Sequence, residues 1–109
     1  MRGMDALPPL IAERLSELRA LCEEHHVKRL TVFGSVVHGT FDPATSDVDF
    51  IVDFEWHDDP LVRGRRWLNL WGALKNLFGR NIDLVVRSGI RPHWRPHLER
   101  DEQPVYEAA

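Results

Sequence analysis

Residues 31–54 read TVFGSVVHGTFDPATSDVDFIVDF, and the way this stretch folds decides how the remainder of the chain is arranged. An apolar run ending at Phe33 stops at Gly34-Ser35. A turn-rich segment follows, and Asp47 and Asp49 then open a second apolar run. Side chains alternate across a strand, so Asp47 and Asp49 share one face while Val48, Phe50, Val52 and Phe54 share the other, which reads as core. Two carboxylates held side by side on a rigid element repel one another unless a cation lies between them. Such an all-oxygen pair suits a hard cation, Mg²⁺ above all, which shares its remaining positions with water and substrate phosphates. An isolated D-x-D at a strand entrance is equally the pattern of solvated turn residues, with Ser46 or Asp47 as a cap.

Gly34-Ser35 shifts that balance. A glycine after a strand tolerates unusual dihedrals and lets backbone approach a ligand closely. If Val36-Val37-His38 begins a helical turn, its free N–H groups and the Ser35 hydroxyl form a small anion site. A phosphate cradle at one strand end, beside a metal-holding pair at the start of the next, makes a coherent nucleotide site.

The bulk numbers bound the possibilities. With 109 residues, 43% of them hydrophobic and 28% charged, the chain is expected to be one small folded domain, residues 1–109, with a single core. A net charge of −3 argues against broad, unspecific nucleic-acid binding. Cys22 is the only cysteine, which excludes an internal disulfide, and its place on an apolar helix face marks it as a packed thiol. No apolar stretch reaches transmembrane length, and the N-terminus lacks the apolar centre of a signal peptide, so a cytoplasmic location is expected.

Outward from the central stretch, Pro8 and Pro9 suit a helix start, and Ile11, Leu15, Leu18, Leu21 and Cys22 recur at helical spacing, predicting a helix from about Pro9 to about His25. His25 and His26 are read as polar residues at its C-terminal end. Strands are predicted over Lys28–Phe33 and Val48–Phe54, with Gly39–Ser46 as loop. Asp58-Asp59-Pro60 is a helix start, and Trp67, Leu70, Trp71, Leu74, Leu77 and Phe78 mark an amphipathic helix closed by Gly79. Arg63, Arg65 and Arg66 form a basic cluster on it, read as solvated or as a contact for a partner or phosphate. A third strand is predicted over Asn81–Arg87, with Ile82, Leu84 and Val86 on one face and Asp83 on the other. Asp83 is there either salt-bridged to Arg80 or Arg87, or a third carboxylate facing Asp47 and Asp49. The Pro-punctuated tail predicts a short broken helix and an edge strand at Val105-Tyr106. His93 and His97 are spaced for metal but have Pro96 between them and no third ligand. Four tryptophans are many for so small a core, and any exposed one, Trp94 first, would mark a docking surface.

Gly34-Ser35, Gly39, Ser46-Asp47-Val48-Asp49 and Gly79-Arg80-Asn81-Ile82-Asp83-Leu84-Val85, in this order over nearly the whole chain, resemble the minimal nucleotidyltransferase (MNT) branch of the DNA polymerase β-like superfamily. The resemblance implies an α/β (α+β) fold, a small mixed sheet with helices packed on one side, like a polymerase β palm. It implies Gly34, Ser35 and Ser46 as nucleotide-binding residues, and Asp47, Asp49 and Asp83 as the catalytic acids holding two Mg²⁺ ions. His38 stands where many members carry arginine. The implied reaction is attack of an acceptor hydroxyl on the α-phosphorus of ATP, leaving AMP on the acceptor. Larger members carry an additional substrate-binding domain, so here the acceptor site is expected to be shallow or completed by a partner. Members of this branch resemble the antitoxin of a module whose partner is a HEPN-domain RNase toxin, modified on a tyrosine. The rival readings are an antitoxin that acts by binding alone, and an enzyme acting on a small molecule or RNA through oligomerisation.

Overall fold

A computed structural model describes residues 7–34, 47–100 and 102–108. Helices α1 (Pro9–Ala12) and α2 (Leu15–Glu24) lead into strand β1 (Val27–Phe33). Strand β2 (Val48–Phe54), helix α3 (Pro60–Phe78) and strand β3 (Ile82–Val86) follow, then a single 3-10 turn (Arg87–Gly89), helix α4 (Arg95–Glu99) and strand β4 (Gln103–Glu107). The strands lie in the order β3-β2-β1-β4. β1 runs antiparallel to both β2 and β4, whereas β2 and β3 are parallel, so the sheet is mixed. A parallel pair needs a crossover, and α3 supplies it.

Local chemistry explains most boundaries. α3 starts with Asp59 as N-cap, its carboxylate accepting from Leu61 N at 2.9 Å, and with Pro60 in the first turn. It stops at Gly79, whose φ of 64° is a left-handed C-cap donating to Lys75 O at 2.8 Å. The predicted helix from Pro9 to His25 is instead broken at Glu13-Arg14, where Arg14 leaves helical geometry (φ −113°, ψ 13°). The two short helices still send Ile11, Leu18 and Cys22 into full burial, while Leu15 between them stays half-buried. Burial pushes the Cys22 thiol up to about 12, helped by the Glu23 charge, which suits an inert packed residue. His26 takes φ 63° in the turn out of α2, and its carbonyl accepts from Glu55 N at 2.9 Å, tying that turn to the end of β2.

The core lies between the sheet and α1–α3: Leu30, Val32, Val48, Phe50 and Val52 from the central strands meet Leu18, Leu70, Leu74 and Phe78 from the helices. Alternation along β2 is as read from the sequence, with one addition. Ile51, on the acid-bearing face, is also fully buried. That face is partly roofed by the segment after β3, whose 3-10 turn packs on β2 and whose Ile90 is buried. Arg87 holds this roof down. Its guanidinium donates to Asp53 Oδ2 at 2.9 Å, to Glu102 Oε1 at 2.7 Å and to Glu99, with Thr31 Oγ1 at 3.5 Å. Among the described residues, no helix is long and apolar enough to cross a membrane.

Candidate active site

Topology brings three chain segments to one end of the sheet. β2 and β3 are parallel, so their first residues lie side by side, and the end of antiparallel β1 arrives at the same place. Asp49 is in register with Asp83 on one side and with Phe33 on the other, and Gly34 follows directly. Adjacent strands are about 4.8 Å apart, so the Asp49 and Asp83 side chains are cross-strand neighbours on the face opposite the core. Asp47 stands just ahead of β2 and is exposed, as is Asp83; Asp49 is half-buried.

Gly34 is fitted to Asp49. Its φ of 80° is a left-handed conformation that side chains disfavour. A Cβ built on it would overlap Asp49 Oδ2 and lie 3.2 Å from Asp49 Cγ. The glycine that the sequence marks for close approach to a ligand is thus, in the structure, closely approached by an acid of the chain itself. The signal is the antiparallel register of Phe33 on Asp49, which spacing along the chain does not reveal.

Crowding shows in the electrostatics. Burial, then the charge of Asp83, then that of Asp47 raise the Asp49 carboxyl from its ordinary 3.8 to about 6. The sequence allowed Arg87 as a salt-bridge partner for Asp83. Arg87 is instead engaged by Asp53, Glu99 and Glu102 on the roofed part of the sheet. The three acids are neighbours but not a closed cage: among the described residues, no group of three or more His, Cys, Asp or Glu side chains is already arranged to enclose a metal ion. The donor set nevertheless fits a hard divalent cation. It is all carboxylate oxygen, and the mutual repulsion that perturbs Asp49 is what a bound positive charge relieves. Ser35, Ser46 and His38, with the expected phosphate cradle, lie outside the described residues. His93 and His97 flank the Trp94 ring at 5.6 and 5.8 Å, an aromatic contact.

The sequence matches the model of the nucleotidyltransferase domain over residues 15–103. A solved structure described as a minimal nucleotidyltransferase is 30% identical, with a TM-score of 0.68, covering 92% of this chain and 97% of that one. Two chains from solved toxin–antitoxin complexes share the fold at lower identity. One, from a toxin–antitoxin with AMP-PNP, has a TM-score of 0.60 at 18% identity, over 86% of this chain and 73% of that one. The other comes from a tri-AMPylated Shewanella oneidensis HEPN toxin in complex with an MNT antitoxin, with a TM-score of 0.56 at 15% identity, over 88% of this chain and 71% of that one. No curated protein matches the sequence. The chain belongs to the nucleotidyltransferase domain family.

Proposed function

We propose that this chain is a Mg²⁺-dependent protein adenylyltransferase that moves AMP from ATP to a tyrosine hydroxyl of a HEPN-domain toxin, as the antitoxin of a two-protein module. The observation that carries the reading is the register of Asp49 on Asp83 beside Gly34, at one end of a nucleotidyltransferase-family sheet. The choice of nucleotide and partner is supported by the fold shared with the AMP-PNP complex and with the complex holding an AMPylated HEPN toxin.

Asp47, Asp49 and Asp83 would hold the divalent cations. Bound there, Mg²⁺ supplies positive charge to the triphosphate and lowers the pKa of an acceptor hydroxyl. The chain's own contribution is positional. Two hydrogen-bonded strands fix the Asp49 and Asp83 backbones, and Gly34 leaves the space that the Asp49 carboxylate occupies. Above about pH 6 Asp49 is ionised, so at neutral pH the site presents negative charge on the strand starts. In the transfer, the tyrosine oxygen bonds to the α-phosphorus, the bond to the β-phosphate bridging oxygen breaks, pyrophosphate leaves, and the phenolic proton passes to solvent.

The test is incubation of the chain with ATP, Mg²⁺ and the HEPN-domain protein encoded in the same genome, followed by the intact mass of that protein. A gain of one or more AMP units on tyrosine is expected, abolished by Asp47→Asn with Asp49→Asn while circular dichroism stays native. Inhibition of the toxin without any mass gain would assign the chain to binding alone. Label found only on RNA or a small molecule would reassign the acceptor.

A further inference from the structure

Helix α3 is apolar on two sides. Leu70, Leu74 and Phe78 face the core, but Leu61 and Leu68, seven residues apart and hence on one face, point outward at 74% and 55% exposure. Trp56, in the loop before the helix, is 75% exposed. Between them Gly64 sits in the helix interior, where glycine weakens a helix relative to alanine. Among the described residues nothing requires it, since an added Cβ there would meet no atom within 4 Å. Beside it opens a cleft of about 320 Å³ whose lining includes Glu55, Trp56, Arg63, Gly64, Trp67 and Val86. The cleft lies at the far ends of β2 and β3, five residues or roughly 16 Å along the strand from Asp49, so it is separate from the acids.

The charge that the helix brings to this face is all positive, and Glu55, the one acid in the cleft lining, has its carboxylate 3.9 Å from His26 Nδ1. α3 carries Arg63, Arg65, Arg66 and Lys75 and none of the chain's 17 acidic residues. Arg63 and Arg66 are held in place by backbone carbonyls: Arg63 Nη1 donates to His57 O at 2.8 Å and Asp58 O at 3.1 Å, and Arg66 Nη1 to Glu55 O at 2.9 Å. Arg63 also lies over the Trp56 ring at 4.7 Å. The nearby carboxylates of Asp58 and Asp59 are engaged by Trp56 Nε1 and Leu61 N. Positioned guanidiniums around an exposed tryptophan and an open cleft are the composition of an interface centre.

We infer that the outward face of α3 is a docking surface for an acidic segment of the nucleotidyl acceptor protein, with one apolar side chain of that segment seated in the cleft beside Gly64. Exposed leucines and an apolar cleft favour a protein partner over a nucleic-acid backbone. This inference rests on the proposed function for the identity of the partner, the HEPN-domain protein, and its test separates the two. Titration calorimetry of that protein against the full chain is expected to show at least a hundredfold loss of affinity for Leu68→Glu with Arg65→Glu, melting temperature unchanged. Gly64→Ala is expected to raise the melting temperature of the free chain yet weaken the complex tenfold or more. Affinity should fall as salt rises. Wild-type affinity in these variants, or no binding by the wild-type chain, overturns the inference. So does a loss confined to single-stranded RNA binding, or to self-association in sedimentation. Binding lost in the variants, with no AMP transfer by the wild-type chain, upholds the docking face and removes the adenylyltransferase reading.

Discussion

Gly34 and Asp49 define the candidate site at the scale of single residues, because a methyl group on one displaces the carboxylate of the other. Asp49 is also where the proposed function opposes stability. A carboxyl raised from 3.8 to about 6 binds its proton more tightly in the folded chain than in the unfolded one. Folding stability therefore falls as pH rises through that window and levels off above it. Asp49→Asn removes the charge and is expected to stabilise the free chain by about 1–2 kcal/mol at pH 7.5, allowing for solvent screening of a half-buried group. Chemical denaturation at pH 7.5 and pH 3.5 checks the sign, since the gain should disappear at the lower pH. A variant no more stable than wild type at pH 7.5 would mean that the acids do not crowd one another.

Two elements are secured by contacts that neither propensity nor periodicity announces. The free edge of β3 is covered by α3: Trp71 Nε1 donates to Ile82 O and Trp67 Nε1 to Leu84 O, each at 3.0 Å, with the two rings stacked 5.7 Å apart. Both indoles thus occupy outward carbonyls of an edge strand, which would otherwise be a template for another chain. On the other face, the tail from the 3-10 turn to β4 is strapped down by Arg87. Glu102 and then, against the lowering effect of burial, Asp53 and Glu99 hold its proton above the ordinary arginine range. Glu102 is pushed up by its own burial, but Arg87, Thr31 and Arg29 together bring it below the usual carboxylate range. A depressed acid contributes stability above its unfolded pKa and loses it as pH falls through the folded one. Arg87→Met is expected to destabilise by about 3–5 kcal/mol, because it leaves three carboxylates crowded over the sheet. Denaturant unfolding should place the largest deficit at neutral pH and a smaller one near pH 4, as those acids protonate.

At the scale of the molecule two charged regions stand apart: Asp47, Asp49 and Asp83 gather at one end of the sheet, while α3 itself carries only basic charge. Such a molecule answers to cations at one end and to anions along the helix. ATP with Mg²⁺ at a hundred times its dissociation constant is expected to add about 2.7 kcal/mol of stability by linkage, seen as a higher melting temperature. The Asp47→Asn, Asp49→Asn chain should show no such shift, and neither should wild type with ATP and EDTA. An equal rise with and without the divalent ion would separate nucleotide binding from the acids.

Much of this was legible in the residues alone, and the physical divide is clear. The caps of α3, the span of β2 and the facing of Asp47, Asp49 and Asp83 away from apolar neighbours are local matters, set by capping chemistry and strand alternation within a few residues. The break at Glu13-Arg14 left no mark, since both are ordinary helix formers. The burial of Ile51, the partners of Arg87, the indole contacts to β3 and the fit of Asp49 against Gly34 depend on groups 11 to 56 residues apart meeting in space. Sequence alone determined where the strands and the long helix form and which chemistry each carries. Only the tertiary structure decided which of them touch, because strand register and helix packing are set by long-range contacts that no local pattern encodes.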